Sequence, residues 1–344
     1  MIDCKTLVRR NIAALEPYST ARDEYKGELG ILLDANENPY DTGVNRYPST
    51  ALKEKVRGMI AEMKGVAPDR LFLGNGSDEA IDLCYRIFCT PGVDKAVMIA
   101  PSYGMYKVCA DINDVEAVQV QLNEDFSLPS DSILAAADNR CKLLFLCSPN
   151  NPTGNAFPVD EIEALVKRFG GIVVVDEAYI DFADGEGVAR LTEKYSNLIV
   201  LQTLSKAYGL AGLRIGLAIS NPYIISLMKR VKYPYNIGTD TLNLAAELLA
   251  DDVAQQVRTL VHERGKVAEQ LLSCHCVQKV YPSRANFLLV RVGNPKGLYD
   301  RLIQGGLIVR DRSRVKGCEG CLRITIGTPE ENVKLIEIIK QYES

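Results

Sequence analysis

Short apolar runs rich in Val, Ile and Leu alternate with stretches of helical periodicity through the first two thirds of the chain. That alternation predicts an α/β fold with a large, mostly parallel sheet, because strands covered on both faces read as near-continuous aliphatic segments. Strands are predicted over 71–73, 96–100, 143–147, 172–175, 198–201 and 215–219, with helices over 78–88 and 160–169 between them. The character changes near residue 246. Long amphipathic helices come first, then strand patterns over 285–291, 307–310 and 322–326, then a closing helix, which reads as a smaller α+β lobe. The expected division is an N-terminal segment over 1–35 joining the small lobe, a large α/β domain over 36–245 and a small C-terminal domain over 246–344. No internal repeat, low-complexity tract or long Pro/Gly/Ser linker interrupts the pattern, so the lobes are expected to pack tightly.

The ends of the predicted strands carry the candidate chemistry. Leu73 runs into Gly74-Asn75-Gly76-Ser77-Asp78, Ala100 into Pro101-Ser102-Tyr103-Gly104, and Cys147 into Ser148-Pro149-Asn150-Asn151-Pro152-Thr153-Gly154. Val175 runs into Asp176-Glu177-Ala178-Tyr179, and the strand at 198–201 leads to Thr203-Leu204-Ser205-Lys206. Open parallel sheets bind ligands in the crevice outside their carboxyl edge, so these motifs are expected to converge on one site.

Composition narrows the partners. In 344 residues, 40 Lys and Arg stand against 44 Asp and Glu, and no basic stripe appears, so nucleic acid is not an expected partner. No apolar run approaches the roughly 20 residues needed to cross a bilayer, and the N-terminus lacks a charged leader followed by an apolar stretch; the expected address is the cytoplasm. Most of the ten cysteines sit in apolar runs, as Cys84, Cys89, Cys141 and Cys147 do, where a free thiol behaves as a small hydrophobe. Cys318 and Cys321 have CxxC spacing but no second pair, and the chain holds only two histidines, so no metal site is expected. His262 falls on the polar side of its helix pattern, and neither it nor His275 accompanies a nucleophile in a triad motif.

Several residues admit two readings on local grounds. The turn from Gly74 to Asp78 either starts a helix or offers free amides and a positive dipole end to a phosphate. Asp176, after four aliphatics, either caps a helix or faces a cation such as a protonated pyridine nitrogen, since a buried carboxylate is costly unpaired. Lys206 is either solvated or a lysine made nucleophilic by desolvation and neighbouring cations, with Ser205 and Arg214 suited to phosphate oxygens. Strand alternation puts Arg323 on the opposite face from Leu322, Ile324 and Ile326, where it is either a surface residue or a clamp for a carboxylate or phosphate. Arg310 poses the same choice.

Taken together, Asn151-Pro152-Thr153-Gly154, Asp176-Glu177-Ala178-Tyr179 and Ser205-Lys206 with Arg214 downstream resemble the ordered signature of the fold-type I pyridoxal-phosphate aminotransferases. The segments 33–39, 45–48, 101–106 and 321–327 are similar to those of the histidinol-phosphate aminotransferase family. The resemblance implies a fold-type I transferase with pyridoxal 5'-phosphate as cofactor, and amino transfer between L-histidinol phosphate and 2-oxoglutarate. It implies that Lys206 joins the cofactor as a Schiff base and shuttles the proton between the substrate α-carbon and the cofactor C4′. Asp176 would pair with the pyridine nitrogen, Asn151 and Tyr179 would hold O3′, and Tyr103 would stack on the ring. Ser77, Asp78, Ser205 and Arg214 would receive the phosphate, with Tyr47 reaching in from a second subunit of a homodimer. Arg323, helped by Arg310, Tyr18, Asn151 and Tyr47, would bind the substrate.

Overall fold

The computed structural model describes residues 2–18, 20, 22, 30–184, 187–250 and 252–343. Seven strands, β1 (Leu71–Asn75), β2 (Lys95–Ala100), β3 (Glu116–Gln121), β4 (Cys141–Cys147), β5 (Ile172–Asp176), β6 (Leu198–Thr203) and β7 (Ile215–Ile219), form one sheet in the order β1-β7-β6-β5-β4-β2-β3. Every residue of β5 and β6 is buried, as the unbroken aliphatic runs imply for strands covered on both faces. Along β5 the two faces feed separate cores. Val173 and Val175 join Val56, Ile60 and Leu165, whereas Ile172 and Val174 join Phe72, Ile81 and Phe145.

The sheet is mixed at one edge. β7 runs antiparallel to both β6 and β1, while β6, β5, β4, β2 and β3 are mutually parallel. The cause is the connection from β6 to β7, whose only regular element is the 3₁₀ turn Ala211–Leu213. A parallel return needs a crossover of roughly a dozen residues or more, usually helical. Strand β3 escapes the sequence pattern because it is an edge strand with polar residues, Glu116, Gln119 and Gln121, spread along it.

A second sheet, β10-β11-β9-β8, is antiparallel throughout and built from β8 (Val277–Val280), β9 (Phe287–Val292), β10 (Arg310–Asp311) and β11 (Cys321–Thr325). The helices Ala254–Leu272, Pro295–Gln304 and Pro329–Glu343 accompany it. The strand expected over 307–310 shrinks to Arg310–Asp311, with Gly306 at φ +78° turning the chain and Ile308 left exposed. The helix Thr239–Leu248 runs across residue 245, the expected end of the large domain. His262 is exposed, as its helical position implies.

Two backbone features shape the carboxyl edge. The helix Gly76–Phe88 begins as β1 ends, and the Gly76 amide donates to the Arg214 carbonyl at 2.6 Å. Gly216, on β7, lies directly under this turn: a Cβ there would collide with the Ser77 amide nitrogen and the Gly76 carbonyl. Glycine is therefore required for the helix start to approach the sheet. Gly216→Ala is expected to destabilise the fold by about 1–3 kcal/mol, the usual cost of overpacking. Gly212→Ala, with nothing within 4 Å of its Cβ position, serves as the control. Urea denaturation midpoints of the two variants check this, and equal midpoints would show that the turn yields freely.

Candidate active site

The strand-end motifs do converge. Gly76, Ser77 and Asp78 after β1, Tyr103 after β2, Cys147 and Asn151 at the end of β4, Asp176 and Tyr179 at the end of β5, and Ser205 and Lys206 after β6 line one cavity of about 370 Å³, which Arg214 also lines. The second sheet closes it with Arg310, Arg312 and Arg323. This volume lies in the range of small-molecule sites.

Asp176 anchors the floor. It ends the central strand with only 3 % of its surface exposed, and burial pushes its carboxyl up to about 6. Two donors offset part of that cost: the Tyr106 hydroxyl at 2.8 Å and the Ala178 amide at 3.0 Å. Tyr106 is itself fully enclosed, packed on Phe145 with ring centroids 4.9 Å apart, so its hydroxyl is held in place. The local motifs did not single out this tyrosine; its i+3 spacing from Tyr103 in a helix start was the available signal.

Lys206 faces the cavity with its ammonium 5.7 Å from the centre of the Tyr179 ring. Desolvation, then repulsion from Arg323 and Arg214, lowers its pKa, while Asp176 and Asp78 oppose the shift. A lysine so placed gives up its proton more readily than a solvated one, the property an amine nucleophile or proton shuttle requires.

An anion cradle lies beside it. The helix Gly76–Phe88 presents its first-turn amides, Gly76 at φ +74° bends beneath them, and Arg214, itself left-handed at φ +53°, reaches Asp78 at 3.5 Å. A Cβ on Gly76 would meet the Arg214 guanidinium at 2.6 Å, so the glycine keeps the cradle open. The Tyr103 hydroxyl donates to Asp78 Oδ1 at 3.0 Å, fixing its ring at the cavity wall.

On the opposite side Arg323 Nη1 donates to Asn151 Oδ1 at 2.6 Å, and Asn151 Nδ2 donates to the Tyr179 hydroxyl at 3.4 Å. The guanidinium also lies over the Phe287 ring, 5.3 Å from its centroid. Arg310 is the cross-strand partner of Arg323.

Two expected residues lie elsewhere in the single chain. Tyr47 is half-exposed and stacked on Tyr235, with ring centroids 4.0 Å apart, in a separate groove beside Asn45, Arg46 and Thr239. Tyr18, 77 % exposed, lines a groove with Thr50, Lys53 and Pro234 and does not join Arg323. Arg312 and Cys147 line the cavity without having been predicted as site residues.

The residues present fit pyridoxal phosphate: an anion cradle at one end, a buried carboxylate at the other, and a lysine of lowered pKa between them. Fold and site together define a pyridoxal-phosphate enzyme of the aminotransferase type. Residues 31–339 match the family model for aminotransferase class I and II. A histidinol-phosphate aminotransferase of Parabacteroides distasonis is 48 % identical over 342 residues, covering 99 % of this chain and 99 % of that one. Among solved structures, a histidinol-phosphate aminotransferase from Clostridium acetobutylicum superposes with a TM-score of 0.79 at 24 % identity, covering 88 % of this chain and 91 % of that one. Another from Sinorhizobium meliloti, in complex with pyridoxal-5'-phosphate, gives 0.76 at 22 % identity and covers 86 % and 82 %. The chain belongs to the class I and II aminotransferases, within the histidinol-phosphate aminotransferase family.

The raised carboxyls predict a pH dependence for the cofactor-free protein. Asp176 moves from 3.8 to about 6, and its buried neighbour Glu177 from 4.5 to about 7. A group whose folded pKa is raised favours the folded state while protonated, and that contribution is lost as pH rises through the folded value. Stability of the apoprotein should therefore fall between about pH 4 and 7. A displacement of about two pH units corresponds to about 3 kcal/mol. Asp176→Asn should flatten the lower part of this fall. Denaturant titrations without cofactor across that range read it, and an unchanged slope in the variant would rule out Asp176 as a source.

Proposed function

We propose that the protein transfers the amino group between L-histidinol phosphate and 2-oxoglutarate, giving imidazole acetol phosphate and glutamate, with Lys206 as its catalytic residue. The observation that carries this reading is the coincidence in one cavity of Lys206, the carboxylate of Asp176 and an arginine-lined wall containing Arg323. The name shared by full-length relatives such as the 48 % identical one supports the substrate pair.

When bound, pyridoxal phosphate supplies an electron-withdrawing ring that takes up the electron pair released at the substrate α-carbon. Asp176, held by Tyr106, keeps the pyridine nitrogen protonated. The amides of Ser77 and Asp78, the Ser205 hydroxyl and the Arg214 guanidinium receive the phosphate. Asn151 and Tyr179 hold O3′, and Tyr103 lies against the ring. Lys206 would hold the cofactor and, when free, would take the proton released at the substrate α-carbon. Arg323 and Arg310 bind the anionic group, which is the phosphate of one substrate and a carboxylate of the other. Such alternation of two half-reactions gives ping-pong kinetics.

The active unit in this reading is a homodimer. Tyr47 serves the phosphate site of the second subunit, and Tyr18 in the N-terminal segment helps Arg323 bind the substrate. The large domain over 36–245 and the small domain over 246–344 are the proposed units of the chain. The start of the N-terminal segment packs on the large domain and not, as expected, on the small one, since Cys4, Val8 and Ile12 join the core of Phe72 and Ile81 and the Arg9 amide donates to the Ile87 carbonyl. A cytoplasmic location accords with ten free thiols, the state a reducing compartment maintains.

The absorption spectrum of the purified enzyme tests the substrate. Addition of L-histidinol phosphate should convert the cofactor band to the pyridoxamine form, and Lys206→Ala should abolish turnover while leaving the fold intact. A shift with phenylalanine but none with histidinol phosphate would replace the reading by a broad aromatic aminotransferase. Release of carbon dioxide from threonine phosphate would replace it by a decarboxylase.

Subunit mixing tests the dimer. Lys206→Ala and Tyr47→Ala, each of low activity alone, should recover activity when dissociated and reassociated together, because each hybrid has one site with both groups intact. No recovery in a demonstrated hybrid would sink the shared site.

A further inference from the structure

We infer that Arg312 is a third phosphate-recognising arginine, which favours a phosphate-bearing amino substrate over a carboxylate-bearing one at the Arg323 wall. This deepens the proposed function and rests on it.

Arg312 follows β10 directly, and its amide donates to the Cys321 carbonyl at 2.9 Å, continuing the β10–β11 ladder by one residue. Residues two apart on a strand share a face, and cross-strand partners share it too. Arg310 and Arg312 are two apart and Arg323 is the partner of Arg310, so three guanidiniums project from one side of a two-stranded ribbon. All three line the cavity that contains Lys206.

Among the described residues, no salt bridge reaches Arg310, Arg312 or Arg323. Desolvation, then Arg323 and Arg310, lower the pKa of Arg312, and desolvation and Arg310 lower that of Arg323. The Nε atoms of Arg312 and Arg323 are buried with no hydrogen-bond partner. The nearest carboxylate in sequence, Asp311, turns instead onto the Ser313 amide at 2.7 Å. Two partly dehydrated cations with spare donors, beside a third, are costly until an anion arrives.

The chemistry of that anion follows from counting oxygens and charge. A carboxylate offers two oxygens and one negative charge, which Arg323 alone can engage in a bidentate pair. A phosphate monoester offers three oxygens and a charge of about −1.5 to −2 at neutral pH. Its third oxygen and additional charge can use a further guanidinium where a carboxylate cannot. Arg312 therefore contributes more to the phosphate substrate than to glutamate.

Steady-state kinetics of Arg312→Gln and Arg312→Lys with both amino donors test this. Loss of a charge-assisted hydrogen bond should raise KM for histidinol phosphate about 10- to 100-fold in Arg312→Gln. The rise for glutamate should be smaller by about tenfold or more, with kcat for the phosphate substrate changed far less than KM. Arg312→Lys should restore part of the KM, since it keeps the charge without the planar fork. Equal KM changes for both donors, or a loss confined to kcat, would overturn the assignment. If the wild-type enzyme does not use histidinol phosphate at all, the proposed function fails instead.

Discussion

The constraint on which the rest depends is a carboxylate placed where water cannot reach it. Asp176 closes a strand buried along its whole length, and the surroundings compensate it only in part, through one tyrosine hydroxyl and one backbone amide. The remaining cost falls when a cation stands opposite it. The neighbouring groups are arranged consistently with that need: Lys206 close by with a lowered pKa, and the anion cradle at the far side of the cavity. An organic ligand with a cationic ring nitrogen at one end and a phosphate at the other satisfies both ends together. The site thus stores part of the protein's stability as affinity for its cofactor.

Much of this was readable in the chain. Each of β1, β2, β4, β5, β6 and β7 coincides with an aliphatic run, because burial on both faces leaves no room for polar alternation. The motifs after them met at one edge for a topological reason: parallel strands all deliver their C-terminal ends to the same side. What stayed hidden had local causes. β3 and β8 are half-exposed strands with polar residues, indistinguishable from loops by hydropathy. The antiparallel turn of β7 depends on how a short connection folds, not on the pattern of β7 itself.

The site shows the same division. Ser77, Asp78, Tyr103, Asn151, Asp176, Tyr179, Ser205, Lys206 and Arg214 could be named because they sit in compact motifs. Tyr106 and Arg312 could not, because a hydroxyl under a carboxylate and a third guanidinium on a ribbon are facts of three-dimensional proximity. Tyr18 lies in a groove beside Thr50 and Pro234, apart from the cavity that holds Arg323.

The bond from Arg323 to Asn151 joins the small sheet to a loop of the large one. The same amide reaches the Tyr179 hydroxyl with its nitrogen, so one side chain links the guanidinium to that ring. The clamp is therefore also a strut. It stands beside other ties between the two parts of the chain, Arg264 to the Phe182 carbonyl and Arg284 to Asp184, but of these three bonds it alone comes from a guanidinium that lines the cavity.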